Sequence, residues 1–77
     1  MNKERRQKIK KVISDLENIQ TEVANVLDDE ETTYDNMPES LQSSINGMTS
    51  EEAINGLQEA MDNIETIVDA LNEVVLL

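Results

Sequence analysis

Apolar residues recur along this chain at the spacing of helix seams. In the first half, Ile9, Val12, Leu16, Ile19, Val23 and Val26 follow one another at alternating steps of 3 and 4 residues. That pattern marks a helix packed along another helix. Ile13 and Leu27 widen the stripe on one side. The next seam position is Glu30, which interrupts the pattern, and the expected continuation is a phase shift from Leu27 to Tyr34. In the second half the seam is Ile54, Leu57, Met61, Ile64, Val68, Leu71 and Val75, and a parallel stripe of Ala53, Ala60, Ile67 and Val74 runs beside it. A helix with one partner needs only the first stripe, whereas a helix inside a bundle uses both.

Between the two patterns lies Tyr34-Asp35-Asn36-Met37-Pro38-Glu39-Ser40-Leu41-Gln42, with the only Tyr and the only Pro of the chain. Pro38 has no backbone donor and disfavours helical dihedrals at Met37, so the first helix must end by that point. Proline also suits a first helical turn, which allows a short helix over Glu39-Ser40-Leu41. Ser43, Ser44, Asn46 and Gly47 are turn-prone. Thr49, with Glu52 three residues on, fits a capping box that would start the second long helix. The expectation is one all-α domain: helix one over about 3–36, a connection over about 37–49, and helix two over about 50–76. Two helices joined by a short connection fold back antiparallel.

At 77 residues a single core rarely stabilises a fold by more than about 3–5 kcal/mol, so small chains lean on disulfides, metals or association. With neither Cys nor His in the chain, disulfides are excluded and a zinc site is disfavoured. The expected remedy is association of two antiparallel hairpins, through their wider stripes, into a dimeric four-helix bundle. The longest apolar run, Val74-Val75-Leu76-Leu77, is far short of the ~20 residues of a membrane helix. No apolar segment follows the basic start as in a signal peptide, so a cytosolic setting is expected.

Charge is strongly polarised. The net charge is −11, yet all six basic residues (Lys3, Arg5, Arg6, Lys8, Lys10 and Lys11) fall within the first eleven positions. Of the 17 acids only Glu4 lies there, leaving 17 − 1 = 16 on a stretch with no Lys or Arg. Such a surface repels nucleic acid and anionic membranes and attracts basic partners.

Little of this supports catalysis. There is no His to act as general base and no Cys nucleophile, and no Ser or Thr has an evident activating partner. The Asp28-Asp29-Glu30-Glu31 run lacks the alternating ligands and the glycine of a calcium loop. The chain is therefore expected not to be an enzyme and to need no cofactor or metal.

Three surfaces remain as candidates for binding. Glu52, Glu59, Asp62, Asp69 and Glu73 share the outward stripe of helix two, flanked by Glu51 and Glu65. Helix one adds Asp15, Glu17, Glu22 and the acidic run. Laid side by side at about 1.5 Å rise per residue, they give roughly one charge per 2–3 Å, not far from the ~1.7 Å of duplex DNA. The plain alternative is an acidic face that only confers solubility. Tyr34, Met37 and Leu41 form a second candidate, a partner contact at the hairpin tip or a hydrophobic cap on the bundle. Arg5, Arg6 and Lys10 form the third, a patch for an anionic ligand when several N-termini gather. Its plain alternative is compensation of the C-terminal end of helix two, with Asp69 and Glu73.

The basic start, the acidic segment leading into Tyr34–Gln42, and Glu51-Glu52-Ala53-Ile54 at the head of an acidic amphipathic helix resemble a family of small acidic proteins encoded by bacteriophages and prophages. The likeness covers nearly the whole chain, and the central nonapeptide is its specific part. Members carry a Ser-Glu-Arg-Gly-like segment after the Leu-Gln, where this chain has Ser43-Ser44-Ile45-Asn46-Gly47. The resemblance implies a phage accessory protein acting in the host bacterial cytosol, on a host target or on phage physiology. It assigns no catalytic or binding residue. The leading expectation is a non-enzymatic protein whose acidic surface occupies a basic groove of a host defence or nucleic-acid-processing protein, without binding nucleic acid itself. One alternative is an oligomeric sponge holding an anionic nucleotide signal through the basic N-termini. Another is a structural or assembly role.

Overall fold

A computed structural model describes all 77 residues. The chain forms α1 (Lys3–Asp35), a one-turn α2 (Glu39–Gln42) and α3 (Ile45–Val75). The long helices pack against each other as a hairpin measuring 58 × 15 × 13 Å. No helix is long and apolar enough to cross a membrane.

Side-chain caps mark the starts of the two long helices. Asn2 Oδ1 accepts from the Arg5 backbone N–H at 2.9 Å at the head of α1, a standard N-cap arrangement. Past the end of α1, Pro38 turns the chain with φ −55° and ψ 145°, and its carbonyl accepts from the N–H groups of Leu41 and Gln42. The Gln42 side chain reaches back and donates from Nε2 to the carbonyls of Tyr34 (3.1 Å) and Met37 (3.3 Å). These carbonyls lie at and just past the C-terminal end of α1, and that of Tyr34 also accepts from the Met37 N–H at 3.1 Å. The central segment is thus a connector in which Gln42 ties off α1.

Helix α3 begins earlier than the spacing suggested. Its N-cap is Ser44, whose Oγ accepts from the Gly47 N–H at 3.4 Å and donates to the Leu41 carbonyl. The capping box expected at Thr49 and Glu52 is therefore not a helix start, and the connection is shorter than residues 37–49. Gly47 accounts for the difference. It is buried, and a Cβ there would stand 2.5 Å from the Leu41 carbonyl oxygen and from the Gln42 carbonyl carbon. Only glycine lets the first turn of α3 lie this close to the end of α2.

The seam of α1 also differs in phase from the apolar stripe. Ile13 is its one buried apolar residue, at 7 % exposure, while Val12, Ile19 and Val26 lie at 47, 45 and 54 %. The inward-facing set is Arg6, Ile9, Ile13, Leu16, Gln20, Val23, Leu27, Glu30, Tyr34 and Met37. Glu30 does not break it, and no phase shift is needed. The polar members escape an apolar count, but Glu30 has a partner: Ser50 Oγ donates to Glu30 Oε1 at 2.7 Å. That bond sets the antiparallel register. Counting outward from it places Val23 level with Leu57, Leu16 with Ile64, and Ile9 with Leu71.

Candidate functional site

Helical periodicity gives the hairpin two unlike sides. Reversing a helix reverses the sense in which heptad positions run around it, so corresponding flanks of an antiparallel pair lie on the same side. One side carries Glu17 and Glu31 of α1 with Glu51, Gln58, Glu65 and Asn72 of α3. The other carries Val12, Ile19 and Val26 of α1 beside Ala53, Gly56, Ala60, Asn63, Ile67, Ala70 and Val74 of α3. On this second side α3 has no charge at all.

The five acids Glu52, Glu59, Asp62, Asp69 and Glu73 are all exposed on the outer face of α3. None of them is in an ion pair. The only two ion pairs lie within α1, Lys8–Glu4 at 3.5 Å and Lys11–Asp15 at 2.8 Å. Both are exposed pairs one helical turn apart, of a kind worth at most a few tenths of a kcal/mol. The outer face of α3 is accordingly a row of free carboxylates on a helix without a cation. The Asp28–Glu31 run does not converge: successive helical positions turn by about 100°, and no group of three acids could hold a metal ion.

At the tip, Tyr34 and Met37 are half-buried and only Leu41, at 51 %, is open. Tyr34, Glu39, Gln42, Ser43, Met48 and Glu51 surround a shallow hollow of about 500 Å³. The sequence suggested an exposed trio, but only Leu41 of the three is open.

At the open end, Arg5 and Lys10 are exposed and Arg6 is half-buried on the seam. None of the three makes an ion pair, and no basic residue of α1 reaches Asp69 or Glu73. The basic end therefore has no acidic partner on α3. The free basic end did not emerge from single-helix patterns, whereas the stripe Ala53, Ala60, Ile67 and Val74 of α3 did. The uncharged side was legible as Ala53, Gly56, Ala60, Asn63, Ile67, Ala70 and Val74 at steps of 3 and 4.

Compared with known proteins, the chain matches no protein-family model, no curated protein and no solved structure.

Proposed function

We propose that this chain is a non-enzymatic interaction protein whose acidic helix face occupies a basic groove on a partner protein. The observation that carries this reading is the outer face of α3, where Glu52, Glu59, Asp62, Asp69 and Glu73 are exposed and unpaired. An elongated rod with free carboxylates along it competes with a nucleic-acid backbone for cationic side chains, and charge steering speeds the encounter. In the setting implied by the resemblance of Tyr34–Gln42 to phage-encoded proteins, the partner is a host nuclease, defence effector or DNA-binding regulator in the bacterial cytosol. The acting unit is a dimeric four-helix bundle. A hairpin whose apolar core comes down to the buried Ile13 supports this, because so thin a core gains most from a second layer.

The test converts the five acids to Gln or Asn, checks helicity, and measures displacement of DNA or RNA from partners captured in host lysate. The expected result is loss of displacement, mainly through a slower on-rate. Retained displacement, together with loss on changing Arg5, Arg6 and Lys10, would favour the nucleotide sponge. Loss only on changing Tyr34, Met37 or Leu41 would move the contact to the tip.

A further inference from the structure

The side of the hairpin on which α3 is uncharged is bordered by α1 residues that are about half exposed, Val12 at 47 %, Ile19 at 45 % and Val26 at 54 %, and by Ile67 of α3 at 48 %. An apolar stripe running the length of a rod is what a packing surface looks like before its partner is in place. We propose that this side docks a second copy of the same chain in antiparallel orientation, so that the tip of each hairpin lies at the open end of the other. This rests on the reading that the hairpin self-associates through the wider stripe of α3, and it adds the flank of α1, the direction and the register.

Charge selects the direction. Ile19 is the midpoint of α1, which spans Lys3–Asp35. A two-fold axis at Ile19 lets two rods overlap along their whole length, with α1 against α1 and α3 against α3. Residue 3 then lies level with residue 35 of the second copy, and residue 11 with residue 27. The basic open end of one chain then lies level with the acidic stretch of the other; on the docking side itself Arg5 and Lys8 come near Asp29 of the second copy, while Glu30 stays in the seam with Ser50. The side-by-side alternative, with both tips at one end, would gather twelve basic residues at one end instead. Near the axis Asp15 and Glu22 of the two copies approach one another, a like-charge contact that the exposed Lys11–Asp15 pair at 2.8 Å only partly offsets. Like charges together are costly and opposite charges together set orientation.

Shape agrees with charge. The Glu30–Ser50 contact makes level residues of α1 and α3 sum to about 80, so the same two-fold axis crosses α3 near residues 61 and 62. Gly56 then lies level with Ile67 of the second copy, and Ala53 with Ala70. Within one chain, a Cβ at Gly56 would meet nothing within 4 Å. That glycine, costly in an exposed helix interior, has no role in the isolated hairpin. In the docked pair it is the hole that receives a large side chain, the knobs-into-holes arrangement of packed helices.

The test uses the full chain, which has no cysteine of its own. Sedimentation is run on the natural chain and on Gly56→Leu, which adds bulk where the single hairpin is open. Oxidative cross-linking is run on Ile19→Cys and on the double variant Gly56→Cys/Ile67→Cys. Those two α3 positions are about 16 Å apart along one helix, beyond the reach of a disulfide within one chain. The expected results are a dimer, an at least ten-fold weaker dimer with undiminished helicity for Gly56→Leu, and interchain disulfides in both cysteine variants. A monomer at all concentrations would overturn self-association and this face together. A dimer lacking both disulfides, or indifferent to Gly56→Leu, would overturn the antiparallel face alone. Neither outcome touches the five acids, which the displacement assay tests separately.

Discussion

Ser50, one of three buried residues of the chain, donates its hydroxyl to the Glu30 carboxylate at 2.7 Å across the seam between the two long helices. It is the only side-chain hydrogen bond joining α1 to α3, and it places a charged group where a leucine would ordinarily sit. A lone apolar seam tolerates sliding by a heptad. A polar pair does so poorly, because a slip leaves the carboxylate facing apolar neighbours. Removing the hydroxyl by Ser50→Ala should lower the unfolding free energy by about 1–3 kcal/mol, the usual cost of depriving a partly buried charged acceptor of its donor. Chemical denaturation of Ser50→Ala, Glu30→Ala and the double variant measures it. Purely additive effects would show that the pair is not coupled.

The buried and exposed apolar stripes of α1 should respond differently to truncation. Ile13→Ala removes the best-buried apolar side chain and should cost about 2–5 kcal/mol, with Leu57→Ala and Ile64→Ala, both half-buried, toward the lower end. Val12→Ala should cost well under 1 kcal/mol in the isolated hairpin, since surface changes usually stay within about 0.5 kcal/mol. Urea titration at dilutions where the chain is monomeric separates the two. An equal loss at Val12 and Ile13 would mean that the seam lies between them.

The two glycines make opposite predictions. Gly47→Ala forces a methyl group against the carbonyl groups of Leu41 and Gln42, backbone atoms that cannot swing aside as a side chain can. A loss of about 1–3 kcal/mol is expected, as for other overpacked sites. Gly56→Ala meets open space in the single hairpin and should stabilise it by roughly 0.5–1 kcal/mol through helix propensity. Thermal melts of the two variants at low concentration should move in opposite directions.

Added salt should raise the melting temperature. The net charge of −11 makes self-repulsion the dominant electrostatic effect within each chain, and the two intrahelical ion pairs are weak. Going from ~0.01 M to ~0.15 M ionic strength shortens the screening length from about 30 Å to about 8 Å. A melting temperature that falls on adding salt would mean that specific opposite-charge contacts outweigh the repulsion.

The helical class and the break at Pro38 were legible because they rest on strong local signals: steps of 3 and 4 between apolar residues, and one proline. The phase of α1 was not. Ile9, Leu16 and Val23 belong to two overlapping stripes, and counting apolar residues favours the one completed by Val12, Ile19 and Val26. The true seam is completed by Ile13, Gln20 and Leu27, and the partner that makes Glu30 tolerable there is twenty residues away in sequence. The start of α3 was misplaced for a similar reason. Thr49 and Glu52 form a good local cap, but Ser44 is bound at once to Leu41 and to Gly47, a link visible only when α2 is in place. The outward acids of α3 followed from periodicity alone, whereas the half-burial of Tyr34 and Met37 did not.

The antiparallel register carries a consequence for the order of events in folding. Pairs across the seam grow steadily farther apart in sequence from the tip to the open end: Tyr34 is level with Gly47, whereas Ile9 is level with Leu71. Closing the short loop costs the least chain entropy, so the pairing should start at the connection held by Gln42 and zip toward the termini. Changes at Gly47 or Gln42 should then slow refolding, while changes at Ile9 or Leu71 mainly hasten unfolding. The acidic outer face, built mostly beyond the tip, would be the last part of the rod to stiffen.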